Sequence, residues 1–304
     1  MKLKNCASAE RAPMRFFVCE EDMRQVWSRK LSGAEKEMFR PFIDELVTAA
    51  FKNIAPYFLM GIHVDDKSNG TPVTQADKST ERLLRGLIAE RFPMHGIFGE
   101  EYGVEEAKGE WPRYRWILDP IDGTRAFISN SYHFGTLIAL ERQDEEAGEY
   151  RPILSAIGFA AAGVRVIGSL DGAELTLESP WLAERTVRPV HVRPCERLED
   201  ATFVTTSHWT TPEQVGDERL QKIIDRVKLY RTWGDCFGYF SVATGGTDLM
   251  IDPDLSYWDV AALLPVVEGA GGTLTGVKGG NPLKELSAVC SAGTIHDEVL
   301  ALLA

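Results

Sequence analysis

The sequence predicts an α+β lobe followed by an α/β lobe. In the first half of the chain, two amphipathic helical stretches precede a run of strand-like segments, whereas the second half alternates strand and helix patterns. Alternation of this kind is typical of a sheet covered by helices. We assign an N-terminal extension to residues 1–34, the α+β lobe to residues 35–185 and the α/β lobe to residues 186–304.

Length and composition indicate a globular protein of ordinary type. The 304 residues suffice for two lobes with cores of their own, and hydrophobic residues make up 44% of the chain. The net charge of −12 argues against a general nucleic-acid or anionic-membrane surface. It does not exclude an anionic substrate, because bound cations can reverse the local field.

The cysteines and the N-terminal segment bear on the compartment. The five cysteines are scattered and form no CxxC pair, so neither a disulfide framework nor a thiolate zinc site is indicated. The first residues lack the apolar core of a signal peptide, and no stretch is long enough to span a membrane. We therefore expect a soluble cytoplasmic protein without a membrane partner.

The α+β lobe is predicted to begin with two helices. The first starts near Ala34 and ends near Gly61, and its apolar residues share one helical face. These residues are Phe39, Phe42, Ile43, Leu46, Val47 and Ile54. The second helix follows a polar loop and is closed by Pro93. Its expected apolar stripe comprises Leu83, Leu84, Leu87 and Ile88.

Strand-like segments follow the second helix. GIFGEE and RYRWILDP end in acids, and HFGTLIALE and PILSAIGFAAAGVRVIGSL are predicted to be further strands. Residues 180–200, rich in Pro and Arg, are expected to connect the lobes. In the second lobe, a strand pattern is followed by a helix pattern three times, and the third of these helices is WDVAALLPVVEGAGG. Two strands and a terminal helix follow it.

The stretch WILDPIDGTRAFI is the main chemical signal of the sequence. Asp119 and Asp122 close an apolar run, an arrangement that is costly unless a cation lies between the carboxylates. Pro120 favours a turn, and Gly123 and Thr124 fall where a helix could begin with amides free to bind an anion. Capping of a tight turn explains the two aspartates equally well on this fragment alone.

Three other elements also present an acid at the end of a buried segment. Glu100 ends a strand, Asp77 lies in the first turn of the second helix, and Asp259 lies at the start of an apolar helix. Each alone is explained by helix or turn capping. Together, and without His or Cys partners, they select Mg²⁺ or Mn²⁺. Two or three such ions would suit phosphoryl chemistry, because Mg²⁺ commonly completes its coordination with phosphate oxygens.

The motifs GTPVTQAD, GEE, WILDPIDGT and WDVAALLPVVEGAGG, in this order, resemble the inositol monophosphatase family of Mg²⁺-dependent, lithium-sensitive phosphatases. The resemblance covers roughly residues 35–304. It implies a layered αβαβα sandwich and a homodimer. Within the family, DPIDGTRAFI, WGDCFGYFSVATGG and DLMIDPDLSYWDVAAL look most like the histidinol-phosphate phosphatase branch.

The resemblance also implies a set of metal ligands. Glu100, Asp119 and the backbone carbonyl of Ile121 would hold the first ion. Asp119, Asp122 and Asp259 would hold the second, and Glu100 would share a third, weaker ion.

The catalytic roles follow from the same resemblance. Asp77 would hydrogen-bond Thr124, and this pair, together with Glu100, would orient and activate the attacking water. The amides of Gly123 and Thr124 would receive the phosphate.

Two departures from the inositol-specific pattern concern the leaving group. Asp252 stands where inositol-specific members carry a glutamate, and Arg125 replaces a small polar residue after DGT. Asp252 either contacts substrate or ends a strand in solvent, and Arg125 either pairs with a carboxylate or contacts substrate. Asp235 either meets a cationic leaving group or caps a helix. The predicted substrate-binding set is Asp122, Gly123, Thr124, Arg125, Asp252 and Asp259.

The sequence therefore predicts a Mg²⁺-dependent phosphomonoesterase that converts L-histidinol phosphate to L-histidinol and phosphate, a step of histidine biosynthesis. Alternatives within the class are phosphatases of inositol 1-phosphate, of fructose 1,6-bisphosphate and of a 3′-phosphonucleotide. An alternative of another class is a catalytically silent, metal-binding regulatory protein. Such a protein would be expected to lack a ligand, and this chain retains every predicted one.

Overall fold

A computed structural model describes most of the chain after the N-terminal extension. The described residues are 30–61, 64–66, 72–109, 113–144, 146–178 and 182–304. The extension predicted for residues 1–34 thus lies outside the described residues, except for its last five positions. Cys6 and Cys19 lie there as well, whereas Cys195, Cys236 and Cys290 are buried free thiols.

Helix α1, Gly33–Ile54, opens the fold and confirms the first predicted helix. Ser32 caps it, since its hydroxyl accepts a hydrogen bond from the Glu35 amide (3.2 Å) and its own amide donates to the Glu35 carboxylate (2.7 Å). The six apolar residues assigned to its inner face are all buried. The helix ends seven residues before Gly61, and turns follow.

Helix α2, Gln75–Arg91, confirms the second predicted helix but shifts its buried face. Leu84 and Ile88 are fully buried, whereas Leu83 is 37% exposed. The inner face continues towards the N-terminus through Glu81 and Asp77, which follow the same spacing of three to four residues. The prediction that Leu83 belongs to the buried stripe is wrong. Asp77 and Glu81 are part of the buried face, and a pattern based on apolar residues alone does not include them.

Strands β1, Val64–Asp66, and β2, Pro72–Thr74, form a small antiparallel pair ahead of α2. A mixed sheet of eight strands follows, in the order β10-β9-β8-β7-β6-β5-β3-β4, in which β3 and β5 run parallel and the other described neighbours pair antiparallel. Its strands are β3 Gly96–Gly99, β4 Gly103–Glu105, β5 Tyr114–Asp122, β6 Gly135–Gln143, β7 Tyr150–Phe159, β8 Val164–Ser169, β9 Gly172–Leu177 and β10 Thr186–Val190.

Strand β10 lies within the segment that was expected only to connect the lobes. Pro189 is tolerated there because β10 is the edge strand of the large sheet. The segment PILSAIGFAAAGVRVIGSL, predicted as one interrupted strand, forms the antiparallel pair β7 and β8.

The second half of the chain builds a five-stranded sheet in the order β12-β11-β13-β15-β14, with β12, β11 and β13 parallel. Its strands are β11 Thr202–Thr205, β12 Leu229–Arg231, β13 Leu249–Asp252, β14 Thr273–Thr275 and β15 Ala288–Ser291. The remaining helices are α3 Thr124–Ile128, α4 Thr210–Val215, α5 Asp217–Ile224, α6 Asp235–Ala243, α7 Tyr257–Gly269, α8 Pro282–Glu285 and α9 His296–Leu303. The predicted strand-helix alternation is confirmed.

The elements stack as five layers, which confirms the αβαβα arrangement. Trp116 and Leu118 of β5 pack in a cluster with α1 and α2, whereas Ile117, on the opposite face, packs in a cluster with α6 and α7. That second cluster also contains Met250 of the small sheet, so α6 and α7 lie between the sheets. Helices α5 and α9 cover the outer face of the small sheet.

Among the described residues, we find no helix that combines the length and the apolar character needed to cross a membrane.

Candidate active site

An irregularity at the end of β5 brings two predicted metal ligands together. The pairing register between β5 and β6 shifts between Asp119 and Asp122, so the strand bends where the two carboxylates lie. Asp119 is only 2% exposed, and its carboxylate accepts a hydrogen bond from the Ile121 amide (3.1 Å). The Thr136 hydroxyl donates to the carbonyl of Pro120 (2.8 Å) and fixes the bend.

Asp259 joins the two aspartates from the first turn of α7. Its carboxylate accepts a hydrogen bond from the Ser256 amide (2.8 Å), which orients it at the helix N-terminus. The ligand atoms of Asp119, Asp122 and Asp259 all lie within 4.8 Å of one another. Residues more than a hundred positions apart in the sequence thus form one cluster.

Electrostatics show what this cluster requires. Burial raises the pKa of Asp119 well above its ordinary value, and the charges of Glu100, Asp122 and Asp259 raise it further. Burial and the charge of Asp122 likewise raise the pKa of Asp259. A divalent cation would remove this repulsion, and an all-oxygen donor set fits Mg²⁺ or Mn²⁺. The residues therefore fit the predicted kind of metal site.

Glu100 and Ile121 lie next to the cluster. The Glu100 amide donates to the carbonyl of Leu118 (3.1 Å), and its charge raises the pKa of Asp119, which places it within electrostatic reach. The carbonyl of Ile121 accepts a hydrogen bond from the Thr124 hydroxyl (3.1 Å). Coordination of an ion by Glu100 and by this carbonyl stays a prediction.

The structure pairs Asp77 and Thr124 differently from the expectation. The Asp77 carboxylate accepts hydrogen bonds from the amide (2.8 Å) and the hydroxyl (2.6 Å) of Thr74, so it caps its own helix. Because the Thr124 hydroxyl donates to Ile121, the hydrogen bond predicted between Asp77 and Thr124 is not formed in the described part of the chain. Burial, followed by the Glu100 charge, raises the pKa of Asp77.

The turn after Asp122 has the predicted form. Helix α3 begins at Thr124, directly after Gly123. Gly123 adopts a left-handed φ of 74°, and a Cβ there would lie 2.9 Å from a carboxylate oxygen of Asp235. Glycine therefore satisfies both the turn and the close approach of this acid.

A buried glutamate that the sequence interpretation missed supports the turn that carries Glu100. Glu81 is fully buried, and its carboxylate accepts hydrogen bonds from the amides of Glu101 (2.7 Å) and Tyr102 (3.2 Å). The available signal was an acid one helical turn after Asp77, on the apolar side of the helix.

A small acidic cavity of 120 Å³ adjoins the metal cluster, and Asp122 and Asp259 line it together with Asp235 and Asp252. Asp252 is 5% exposed, so the alternative that it ends a strand in solvent is wrong. Burial raises its pKa well above the ordinary value, and the charge of Asp235 adds to the effect.

Thr206, a further residue that the sequence did not reveal, connects the two acids of this cavity. Its hydroxyl donates to the Asp252 carboxylate (2.7 Å) and accepts from the Asp235 amide (2.9 Å). Gly234 permits this approach, because a Cβ there would lie 2.0 Å from the Cα of Thr206.

Arg125 acts on Asp235 from outside the cavity. Burial and the charge of Asp122 raise the pKa of Asp235 to about 7, and the charge of Arg125 opposes that rise. The exposed Arg125 side chain therefore lies within electrostatic reach of Asp235, as expected if it pairs with a carboxylate.

Comparison with known sequences agrees with this geometry. The profile of the inositol monophosphatase family matches residues 35–304. A histidinol-phosphatase of Streptomyces coelicolor is 36% identical over 244 residues, covering 80% of this chain and 88% of that protein. The bifunctional phosphatase IMPL2 of Arabidopsis thaliana is 35% identical over 267 residues, covering 88% of this chain and 72% of that protein.

Solved structures give the same result. An inositol monophosphatase from Zymomonas mobilis superposes with a TM-score of 0.71 at 29% identity, covering 90% of this chain and 99% of that chain. The suppressor protein SuhB of Bartonella henselae shares the fold, with a TM-score of 0.74 at 24% identity over 87% of this chain and 98% of that one. The chain therefore belongs to the inositol monophosphatase family and is a phosphoric monoester hydrolase.

Proposed function

We propose that the protein is a Mg²⁺-dependent phosphatase of L-histidinol phosphate, which it converts to L-histidinol and phosphate. The observation that carries this proposal is the pair of acids, Asp235 and Asp252, in the cavity beside the metal cluster. L-histidinol carries an ammonium group and an imidazole, and a cation close to the half-buried Asp235 and the buried Asp252 would offset the desolvation of their carboxylates. A neutral polyol such as inositol would leave both acids without a counter-charge. The named histidinol-phosphatase relative points the same way.

The metal assignment rests on the carboxylate cluster. Asp119, Asp122 and Asp259 would hold Mg²⁺, with Glu100 and the carbonyl of Ile121 completing a set for two or three ions. Bound divalent ions would lower the pKa of a water molecule and neutralise charge on the phosphate. Mn²⁺ is the expected substitute, because it accepts the same oxygen donors.

The residues around the cluster supply positioning and proton transfer. The amides of Gly123 and Thr124, at the start of α3, would receive the phosphate. Asp77, Glu100 and Thr124 would orient the attacking water and accept its proton. The Thr124 hydroxyl must turn away from the carbonyl of Ile121 to take this part.

The leaving group would lie against the acids of the small cavity. Asp252 would contact the cationic end of the substrate and Asp235 would flank it. Arg125 would pair with Asp235 in the absence of substrate and would release it when the cation binds, because two cations would then compete for one acid.

Phosphate release from a panel of substrates tests the proposal. The purified chain with Mg²⁺ is given L-histidinol phosphate, myo-inositol 1-phosphate, fructose 1,6-bisphosphate and adenosine 3′,5′-bisphosphate. We expect kcat/KM for L-histidinol phosphate to exceed the others by about tenfold or more, which corresponds to roughly 1.4 kcal/mol of preferential binding. Equal values, or a preference for inositol phosphate, would overturn the substrate assignment.

Metal dependence is tested in the same assay. Chelation should abolish turnover, and Mg²⁺ should restore it better than Zn²⁺, because the donors are all oxygens. A wild-type protein inactive towards every phosphomonoester with Mg²⁺ or Mn²⁺ would favour the silent regulatory alternative.

The remaining expectations concern assembly and compartment. We infer a cytoplasmic homodimer that acts on a small phosphorylated metabolite. Analytical ultracentrifugation should give twice the mass of the chain, and a monomer at micromolar concentration would contradict the dimer.

A further inference from the structure

The first turn of helix α7 is tied to the large sheet by polar side chains. Tyr257, the first residue of α7, donates a hydrogen bond from its hydroxyl to one carboxylate oxygen of Glu141 in β6. Glu141 is fully buried, and its other oxygen accepts hydrogen bonds from two nitrogens of Arg115 in β5 (2.9 and 2.7 Å). Arg115 and Glu141 lie opposite each other in the pairing of the two strands. We call these three residues the α7 anchor.

The α7 anchor connects the two elements that carry the metal cluster. Asp259 lies in the first turn of α7, directly after Tyr257 and Trp258. Asp119 lies further along β5 than Arg115 and on the same face of the strand, because side chains alternate between the two faces. The position of Asp259 relative to Asp119 therefore depends on how the first turn of α7 lies against β5.

Apolar packing holds the middle of α7 more firmly than its first turn. Every residue from Val260 to Val267 is buried, whereas residues 257–259 are half-buried. The hydrogen bond from the Ser256 amide orients Asp259 within its own helix but does not join it to the sheet. Hydrophobic contacts are non-directional, whereas a hydrogen bond to a buried carboxylate sets both a distance and an angle. The Tyr257 hydroxyl therefore supplies a directional contact where packing is weakest.

The ring of Tyr257 contacts a third element of the site. It stacks on Phe98 of β3, with 5.6 Å between the ring centroids and 28° between the ring planes. The Arg115 guanidinium lies 5.6 Å from the centroid of the Phe98 ring and 5.5 Å from that of Tyr257. Glu100 follows directly after the end of β3. The hydroxyl and the ring of Tyr257 thus reach the sheet through two separate contacts, one of them on the strand that leads to Glu100.

We propose that Tyr257 is a positioning residue of the metal centre. Its hydroxyl fixes the first turn of α7 and with it Asp259 relative to Asp119, and its ring steadies the end of β3 before Glu100. The inference rests on the metal assignment of the proposed function. Partners that orient metal ligands without touching the ion typically change metal affinity by about 10- to 100-fold when they are lost.

Calorimetric titration of the full chain with Mn²⁺, after removal of metal with a chelator, tests the proposal. Tyr257→Phe keeps the ring on Phe98 and leaves Glu141 paired with Arg115, so the variant is expected to fold. We expect it to bind Mn²⁺ about tenfold more weakly than the wild type. Tyr150→Phe also removes a hydroxyl from a ring beside Arg115, whose guanidinium lies 4.2 Å from the Tyr150 centroid, and should leave the affinity within about twofold.

A second variant tests the ring contact without altering the α7 anchor. Phe98→Leu removes the stacked ring and should also weaken Mn²⁺ binding, by about threefold or more. It decides the matter if Tyr257→Phe does not fold. Urea denaturation in chelator separates positioning from general stability, because loss of stability alone leaves the Mn²⁺ affinity of the folded protein unchanged.

The outcomes distinguish this inference from the metal assignment on which it rests. A wild-type chain that binds Mn²⁺, with a change below about threefold in folded Tyr257→Phe or Phe98→Leu, would overturn the positioning role and leave the metal assignment intact. A wild-type chain that binds no Mn²⁺ would overturn both.

Discussion

The backbone amide of Cys236 donates a hydrogen bond to the carboxylate of Asp122, with 2.5 Å between nitrogen and oxygen. Asp122 ends β5 of the large sheet, and Cys236 lies in α6, which packs between the two sheets. The contact therefore joins elements from both halves of the chain at the metal cluster. Asp122 has two separable functions here, since its charge serves a cation and one of its oxygens accepts the amide.

Substitution of Asp122 should separate these two functions. Asp122→Asn keeps an oxygen that can accept from the amide but loses the charge, whereas Asp122→Ala loses both. We expect both variants to lose phosphatase activity by about a hundredfold or more. In the presence of a chelator, both variants lose the repulsion of the Asp122 charge with Asp119 and Asp259, and Asp122→Ala should have a lower free energy of unfolding than Asp122→Asn by about 1–3 kcal/mol, because only Asn keeps the hydrogen bond. Urea denaturation with and without Mg²⁺ measures the free energy of unfolding. Equal stability of the two variants would contradict a stabilising hydrogen bond between the Cys236 amide and Asp122.

The part of the site that could be predicted lies within short stretches of sequence. The turn after Asp122 and the helix start at Thr124 depend on local residue types, and the structure confirms both. The convergence of Asp259 with Asp119 was an expectation from family resemblance, since no local pattern encodes contact across more than a hundred residues.

The residues that sequence reasoning missed act through tertiary contacts. Thr206 looks like an ordinary strand-end threonine, and its role arises only because α6 brings Asp235 to its hydroxyl. Glu81 was not identified from the sequence because helical periodicity treats an acid as exposed, while its actual partners are amides of the loop after β3. Periodicity identifies which face of a helix is inside, but it cannot show which buried position receives polar partners.

Glu81→Gln should loosen the turn that carries Glu100. The carboxylate serves two amides and the Nε of Arg85 (2.8 Å), and a carboxamide has only one acceptor oxygen. We expect the free energy of unfolding to fall by about 1–3 kcal/mol. We also expect weaker Mg²⁺ binding, so that half-maximal activity requires a higher Mg²⁺ concentration. Chemical denaturation and Mg²⁺ titration of activity measure the two effects. Glu90→Gln, an exposed change on the same helix, is the control, and a response equal to that of Glu81→Gln would refute the argument.

His95 should make folding stability depend on pH. Its Nδ1 accepts a hydrogen bond from the Trp116 indole (3.1 Å), and burial lowers its pKa from 6.5 to about 4. Because the folded state resists protonation of His95, the contribution of this side chain to the free energy of unfolding is complete above pH 6.5 and is lost as the pH falls towards 4. The free energy of unfolding should change by at most about 1.4 kcal/mol per pH unit through this group, and by less to the extent that water reaches the ring.

A variant isolates the part due to His95. His95→Gln retains an acceptor for the indole but does not titrate, so its unfolding free energy should fall less between pH 7 and 5 than that of the wild type. Burial also lowers the pKa of His133 and His296, which should leave some pH dependence in the variant. His191→Gln changes an exposed histidine and should follow the wild type. Identical pH profiles for His95→Gln and wild type would show that the ring does not titrate as described.

Thr206 should control the choice of leaving group without affecting the reaction at phosphorus. Its hydroxyl holds Asp252 at 2.7 Å and the Asp235 amide at 2.9 Å, and both acids face the cavity where a cationic leaving group would lie. Thr206→Val removes the hydroxyl but keeps the side-chain shape. Asp252 then loses a hydrogen-bond donor and the Asp235 amide loses its acceptor, so neither acid is held in position by residue 206. We expect kcat/KM for L-histidinol phosphate to fall by about tenfold, whereas that for 4-nitrophenyl phosphate, a neutral aryl ester apart from its phosphate, changes by no more than about twofold. Thr206→Ser retains the hydroxyl and should restore most of the selectivity. An equal loss on both substrates would mean that Thr206 supports the metal cluster or the fold in general, and the acidic cavity would then no longer account for the substrate preference.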